Sequence, residues 1–162
     1  MYLQLSHKST DGFTLVELVT VVVLVSILSA AAIPLFSSKS AYDERFFYDD
    51  LLHALRFSQH LAIVSGCSVQ VLFSISAYHL LQDASCDSSS PDFSQAALRP
   101  GVNEAYLNDN LPSGINLVSS VSPLIFNSQG QALNMSGVVI NQATINMGDR
   151  SILIEGETGF SR

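Results

Sequence analysis

Positive charge is scarce in this chain. Its 162 residues hold seven lysines and arginines against fourteen aspartates and glutamates, a formal charge of −7. A surface of that sign is repelled by nucleic acid and by anionic membrane faces, so a polyanion-binding role is not expected. Cysteine is scarce too: there are two, Cys67 and Cys86, and His53, His60 and His79 stand at no recognisable ligand spacing to them. That inventory leads us to expect no metal site and no cofactor. A catalytic constellation is also missing. Ser65-Gly66-Cys67 is no nucleophile elbow, and His53 and His60 read as exposed or capping histidines of a helix. The chain is not expected to be an enzyme.

Apolar side chains, in contrast, are abundant. They make up 48% of the residues and are concentrated. From Phe13 to Ile33 the only charge is Glu17, with Thr14, Thr20, Ser26 and Ser29 as the other polar interruptions. As a helix that run is about 30 Å long, the thickness of a bilayer's hydrocarbon core. A cleavable secretory signal has a shorter apolar region and a basic start. A glutamate in such a run is costly without a partner, which makes Glu17 a candidate functional residue. Pro34 follows, and its missing amide and crowding ring are expected to kink or loosen the helix there.

A second helical pattern runs from Tyr42 to Ser65, with Phe47, Leu51, Ala54, Leu55, Ser58, Leu61, Ala62 and Ser65 on one stripe and Gly66 as its stop. Cys67 to Ile75 alternates like a strand and continues past a Ser76-Ala77 turn into Tyr78-His79-Leu80, a hairpin. Further strands are expected at Ile115–Val118, Leu124–Asn127, Val138–Met147 and Ser151–Glu155, and a long polar surface loop between Asp83 and Asn110. The fold class is therefore α+β, a long helix laid on an antiparallel sheet. Two cysteines in an exported domain read as a disulfide. A Cys67–Cys86 bridge would close a loop of about 20 residues and add roughly 3 kcal/mol, the alternative being two unpaired buried thiols.

The run Gly12-Phe13-Thr14-Leu15-Val16-Glu17, leading straight into the apolar helix, resembles the processing site of type IV prepilins and type II secretion pseudopilins. The resemblance implies a leader of residues 1–12, cut between Gly12 and Phe13 by a prepilin peptidase that also methylates the new amine of Phe13. It implies a transmembrane and filament-core helix over 13–34, its amphipathic continuation over 35–66, and a β-rich domain over 67–162 on the periplasmic side of a bacterial inner membrane and later on the cell surface. Glu17 would then pair with the amine of Phe13 in a neighbouring subunit and set the register of the filament. The leader departs from the pattern in being short of positive charge, with Lys8 as its firm cation and Asp11 beside the cut.

The segment from Arg45 to Gln59, followed by Leu61 to Cys67, is similar to the H-type pseudopilin and minor pilin group, and within it to the minor pilin C family of the mannose-sensitive haemagglutinin (MSHA) pilus. The implied role is a minor subunit that helps a pilus to assemble or prime, the alternative being a minor pseudopilin of a type II secretion system. Its implied partners are the prepilin peptidase and methyltransferase, other pilin subunits and an inner-membrane assembly platform. DNA is not expected among them, because only Arg150 and Arg162 lie near the C-terminus, against Asp149, Glu155 and Glu157.

Overall fold

In a computed structural model, residues 13–36 and 39–162 are described, and the chain divides between Lys39 and Ser40 into two compact units. The leader and Gly12 lie outside the described residues.

The first unit contains helix α1 (Leu15–Phe36). Valine-rich sequence is an ordinary helix former at best, but each helical turn satisfies its backbone amides and carbonyls within the segment itself. The polar interruptions are absorbed in the same way. Thr20 Oγ1 donates to the Glu17 carbonyl at 2.9 Å and Ser26 Oγ to that of Val22 at 2.7 Å. The helix does not break at Pro34; it continues two residues beyond, to Phe36.

The second unit holds all but the first residue of α2 (Lys39–Ser65). Phe47, Leu51, Ala54, Leu55, Ser58 and Ala62 are buried along one stripe, as their spacing requires, while Ser65 at the end of the stripe is exposed. Ser58 is tolerated there because its hydroxyl donates to the Ala54 carbonyl at 2.7 Å. Gly66 ends the helix with a positive φ of 72°, a conformation open to glycine without penalty, and its amide closes the last turn on Ala62.

Two sheets follow rather than one. In the first, β1 (Val69–Phe73) and β2 (Tyr78–Gln82) form the expected hairpin, joined by the four residues Ser74–Ala77 instead of a two-residue turn. β6 (Leu124–Phe126) pairs with the other edge of β1, and β7 (Ala132–Leu133) with β6. The second sheet is β5 (Leu117–Ser119), β8 (Gln142–Met147) and β9 (Arg150–Glu155), in the order β5-β8-β9. Both are antiparallel. The last residues return along β9, with Leu153 and Arg162 exchanging backbone hydrogen bonds of 2.8 and 3.0 Å.

The stretch from Asp83 to Asn110 is mostly exposed, as its polarity suggests, but it is pinned to the first sheet. β3 (Gln95–Ala96) and β4 (Leu107–Asn108) both pair with β2. Ala97 and Tyr106 between them are buried, as are Asp83 and Asn108 at its ends. Two apolar side chains and the backbone of a neighbouring strand are enough to dock a segment whose other residues face water.

Alternation sends Val69, Val71, Tyr78, Leu80, Leu124 and Phe126 of the first sheet, and Ala143, Ile145, Met147, Ile152 and Ile154 of the second, into one core with the α2 stripe. Each fully buried large side chain contributes about 1.5–3 kcal/mol. The sheets meet at Gly156, whose carbonyl accepts from Ala132 of β7 at 2.8 Å and whose amide donates to Asn141 at 3.0 Å. A Cβ at that position would collide with the Ile140 carbonyl, so the close approach requires glycine.

Candidate processing and assembly site

The N-terminal site residues that are described lie on the first turn of α1. Thr14 caps the helix, its hydroxyl accepting from the amide of Glu17 at 3.3 Å. Thr14-Leu15-Val16-Glu17 has the spacing of a capping box, a signal present in the sequence. Half of that motif is formed. Among the described residues the Glu17 carboxylate has no hydrogen-bond or ion-pair partner, although the first turn of a helix favours a negative charge. Glu17 is thus fixed in position by its backbone while its side chain is left open to a partner.

Phe13 precedes the helix and is 80% exposed. With Leu18, Val21 and Val22 it borders an apolar depression of about 250 Å³. From Phe13 to Leu28 every large apolar side chain is exposed, and even the best covered, Val19, is 50% exposed. A surface of this kind is covered by lipid or by other helices in a working protein. Among the described residues no helix is long and apolar enough to cross a membrane. The side chains described for α1 stop at Ser29, and the apolar run in the sequence goes on to Ile33.

In the globular unit, Cys67 and Cys86 are joined by a disulfide, with Cα atoms 4.5 Å apart. The bridge fastens the head of β1 to the segment after Asp83. Asp83 is buried, and its Oδ1 accepts from the Ser85 amide at 3.0 Å, the Ser85 hydroxyl at 2.7 Å and the Asp92 amide at 2.8 Å. Burial pushes its carboxyl up, but the hydrogen bonds from Ser85 and Asp92 outweigh that and hold it below the usual carboxylate range. These contacts make the polar segment a fixed part of the surface.

A second polar cluster ties the same segment to α2. Asp50 accepts from the Tyr78 phenol and, at 2.7 Å, from the Asn108 amide. Arg99 lies 3.8 Å from the other Asp50 oxygen, donates to the Leu107 carbonyl at 2.7 Å and stacks 4.5 Å above the Tyr106 ring. Nothing in sequence spacing announces this group, because its members come from α2, β2, β4 and the turn between β3 and β4.

His53, His60 and His79 are each exposed, and both cysteines are oxidised. No set of three His, Cys, Asp or Glu side chains among the described residues is placed to hold a metal ion. Arg150 near the C-terminus faces Glu44 at 3.8 Å, so its charge is already answered.

Comparison with known proteins bears on both units. Residues 7–33 match the prokaryotic N-terminal methylation motif, which spans Gly12, Phe13 and Glu17. A comparison with curated proteins finds no match. Among solved structures the chain resembles the minor pseudopilin EpsH from the type 2 secretion system of Vibrio cholerae, with a TM-score of 0.52 and 13% identity over 74% of this chain and 94% of that one. The chain thus joins a prokaryotic N-terminal methylation motif to a domain with the pilin-like fold of a minor pseudopilin.

Proposed function

We propose that this protein is a minor subunit of a type IV pilus-like filament, one that helps the filament to assemble or prime. The observation that carries the proposal is the pairing of a methylation motif with a pilin-like domain in one chain. On this reading the leader of residues 1–12 is removed after Gly12 and the amine of Phe13 is methylated by a prepilin peptidase and methyltransferase. The helix over 13–34 anchors the subunit in the inner membrane as a single span, with the helix continuation over 35–66 and the β-rich domain over 67–162 in the periplasm. The helix then passes into the filament core.

Glu17 takes a distinct role. Its carboxylate, which has no partner among the described residues, pairs with the positively charged amine of Phe13 in an adjacent subunit, which neutralises both charges in an apolar core. The inner-membrane assembly platform and other pilin subunits are the partners. The similarity of Arg45–Cys67 to MSHA minor pilins supports a pilus as the assembly, and the acidic C-terminal surroundings of Arg150 and Arg162 argue against DNA uptake.

A second reading, a minor pseudopilin of a type II secretion system, is supported by the fold likeness to EpsH. The two are separated by deleting the gene in its own host. Loss of surface pili with secretion intact supports the pilus, and loss of secreted enzymes with pili intact supports the pseudopilus. Substitution of Gly12 by leucine tests what both share: the precursor should accumulate uncut, and normal maturation would sink both readings.

A further inference from the structure

The hydroxyls of α1 are not all used in the same direction. Thr20 and Ser26 donate back to carbonyls of the preceding turn, at 2.9 and 2.7 Å, and contribute nothing to the helix start. Thr14 does the reverse: its Oγ1 accepts from the Glu17 amide at 3.3 Å, and its carbonyl accepts from the Leu18 amide at 3.2 Å. The helix begins at Leu15, and Phe13 stands before it, 80% exposed. Its start thus falls just past the Gly12–Phe13 bond.

The sequence offers a competing start three residues earlier. Asp11 is among the strongest N-cap types, and its carboxylate suits the positive end of a helix. A helix capped there would have Gly12 and Phe13 as its first residues and would take the bond between them into its first turn. Two features oppose that start. Thr14 has Glu17 at the third position after it, the spacing of a capping box, whereas the third residue after Asp11 is Thr14. Glycine is also the poorest helix former after proline. The balance between the two starts turns on the Thr14 cap.

A protease cuts a chain where it is locally open, and where opening is fast the rate follows the open fraction. We propose that Thr14 is a positioning residue for maturation: its cap stops the helix from reaching back over the Gly12–Phe13 bond and leaves that bond open to the peptidase. This role rests on the filament reading, in which the cut falls there. It asks position 14 for an acceptor oxygen, whereas a peptidase that read threonine directly would ask for its shape. Valine has nearly the outline of threonine without the oxygen, and asparagine keeps an acceptor but changes the outline.

Pulse labelling of the full chain in its own host, with precursor and mature forms separated by mass, tests the proposal. Thr14→Val should slow cutting by about fivefold, the weight of one cap in the balance between the two starts. Thr14→Ser and Thr14→Asn should be cut at the parental rate. Asp11→Ala, added to Thr14→Val, removes the earlier cap and should restore most of the lost rate. Thr14→Val cut as fast as the parent, Thr14→Ser or Thr14→Asn slowed as much as Thr14→Val, or no recovery with Asp11→Ala overturns the proposal. Gly12→Leu in the same experiment keeps the filament reading separate. If Gly12→Leu is blocked while Thr14→Val is not, the cap role alone fails; if Gly12→Leu matures normally, the filament reading fails with it.

Discussion

The phenol of Tyr78 on β2 donates its hydrogen to the carboxylate of Asp50 on α2, joining helix and sheet through the centre of the globular unit. Tyr78 is fully buried, and its ring meets that of Phe47 edge to face at 5.8 Å. Removing the hydroxyl in Tyr78→Phe keeps the packing and takes one donor from a charged acceptor, which should cost about 1.5–3 kcal/mol. Urea unfolding of the full chain in detergent measures it, and an unchanged midpoint would show that Asn108 and Arg99 satisfy Asp50 without the phenol.

The same contact sets the alkaline limit of stability. Burial first, and then the hydrogen bond and charge of Asp50, raise the Tyr78 phenol far above its ordinary value of 10.0. The unfolded chain loses that proton first. Stability from this group is therefore complete below about pH 10 and declines as pH rises beyond it. Tyr78→Phe should flatten the alkaline fall in unfolding midpoint, and an unaltered fall would assign it to other groups.

The helix stripe of α2 and the β8–β9 hairpin were legible in the sequence because each buries a whole face, and a face repeats at 3.6 or 2.0 residues. β3 and β4 were not. Each is two residues long and exists because the edge of β2 supplies its hydrogen-bond partners. The division into two sheets is equally a matter of which strands meet. Glu17 was legible as a charge out of place, whereas its capping geometry with Thr14 required reading the motif for local structure as well as for processing. The contacts of Arg99 with Asp50 and of Arg150 with Glu44 draw on residues far apart in sequence.

Asp83 acts at the opposite end of the pH scale. Its carboxyl is held below the ordinary 3.8 by the hydrogen bonds it accepts, burial acting against them. A depressed value means stability that is present above the unfolded value and lost as pH falls through the folded one. Asp83→Asn should therefore lower stability at pH 7 and weaken its dependence on pH below about 4. A variant as stable as the parent at pH 7 would contradict this role.

Replacing Cys67 and Cys86 together by serine should lower stability by roughly 3 kcal/mol, the loop-closure effect for a loop of this length. The exported protein should show no free thiol when unfolded in a blocking reagent. A count of two would rule out the bridge in the cell.

Glu17→Val keeps the apolar length of α1 and removes the one charge from its run. Membrane insertion should be unchanged, and incorporation into filaments, measured by immunoblot of sheared surface material, should fall steeply. Normal incorporation would rule out a pairing between Glu17 and the Phe13 amine.

The central claim is that the chain is cut after Gly12 and works from the new amine of Phe13. Intact-mass and N-terminal sequence analysis of protein purified from its host's membranes tests this directly. The account predicts a first residue of Phe13 bearing one N-methyl group. A mature chain that begins at any other residue, or that keeps residues 1–12, would contradict it.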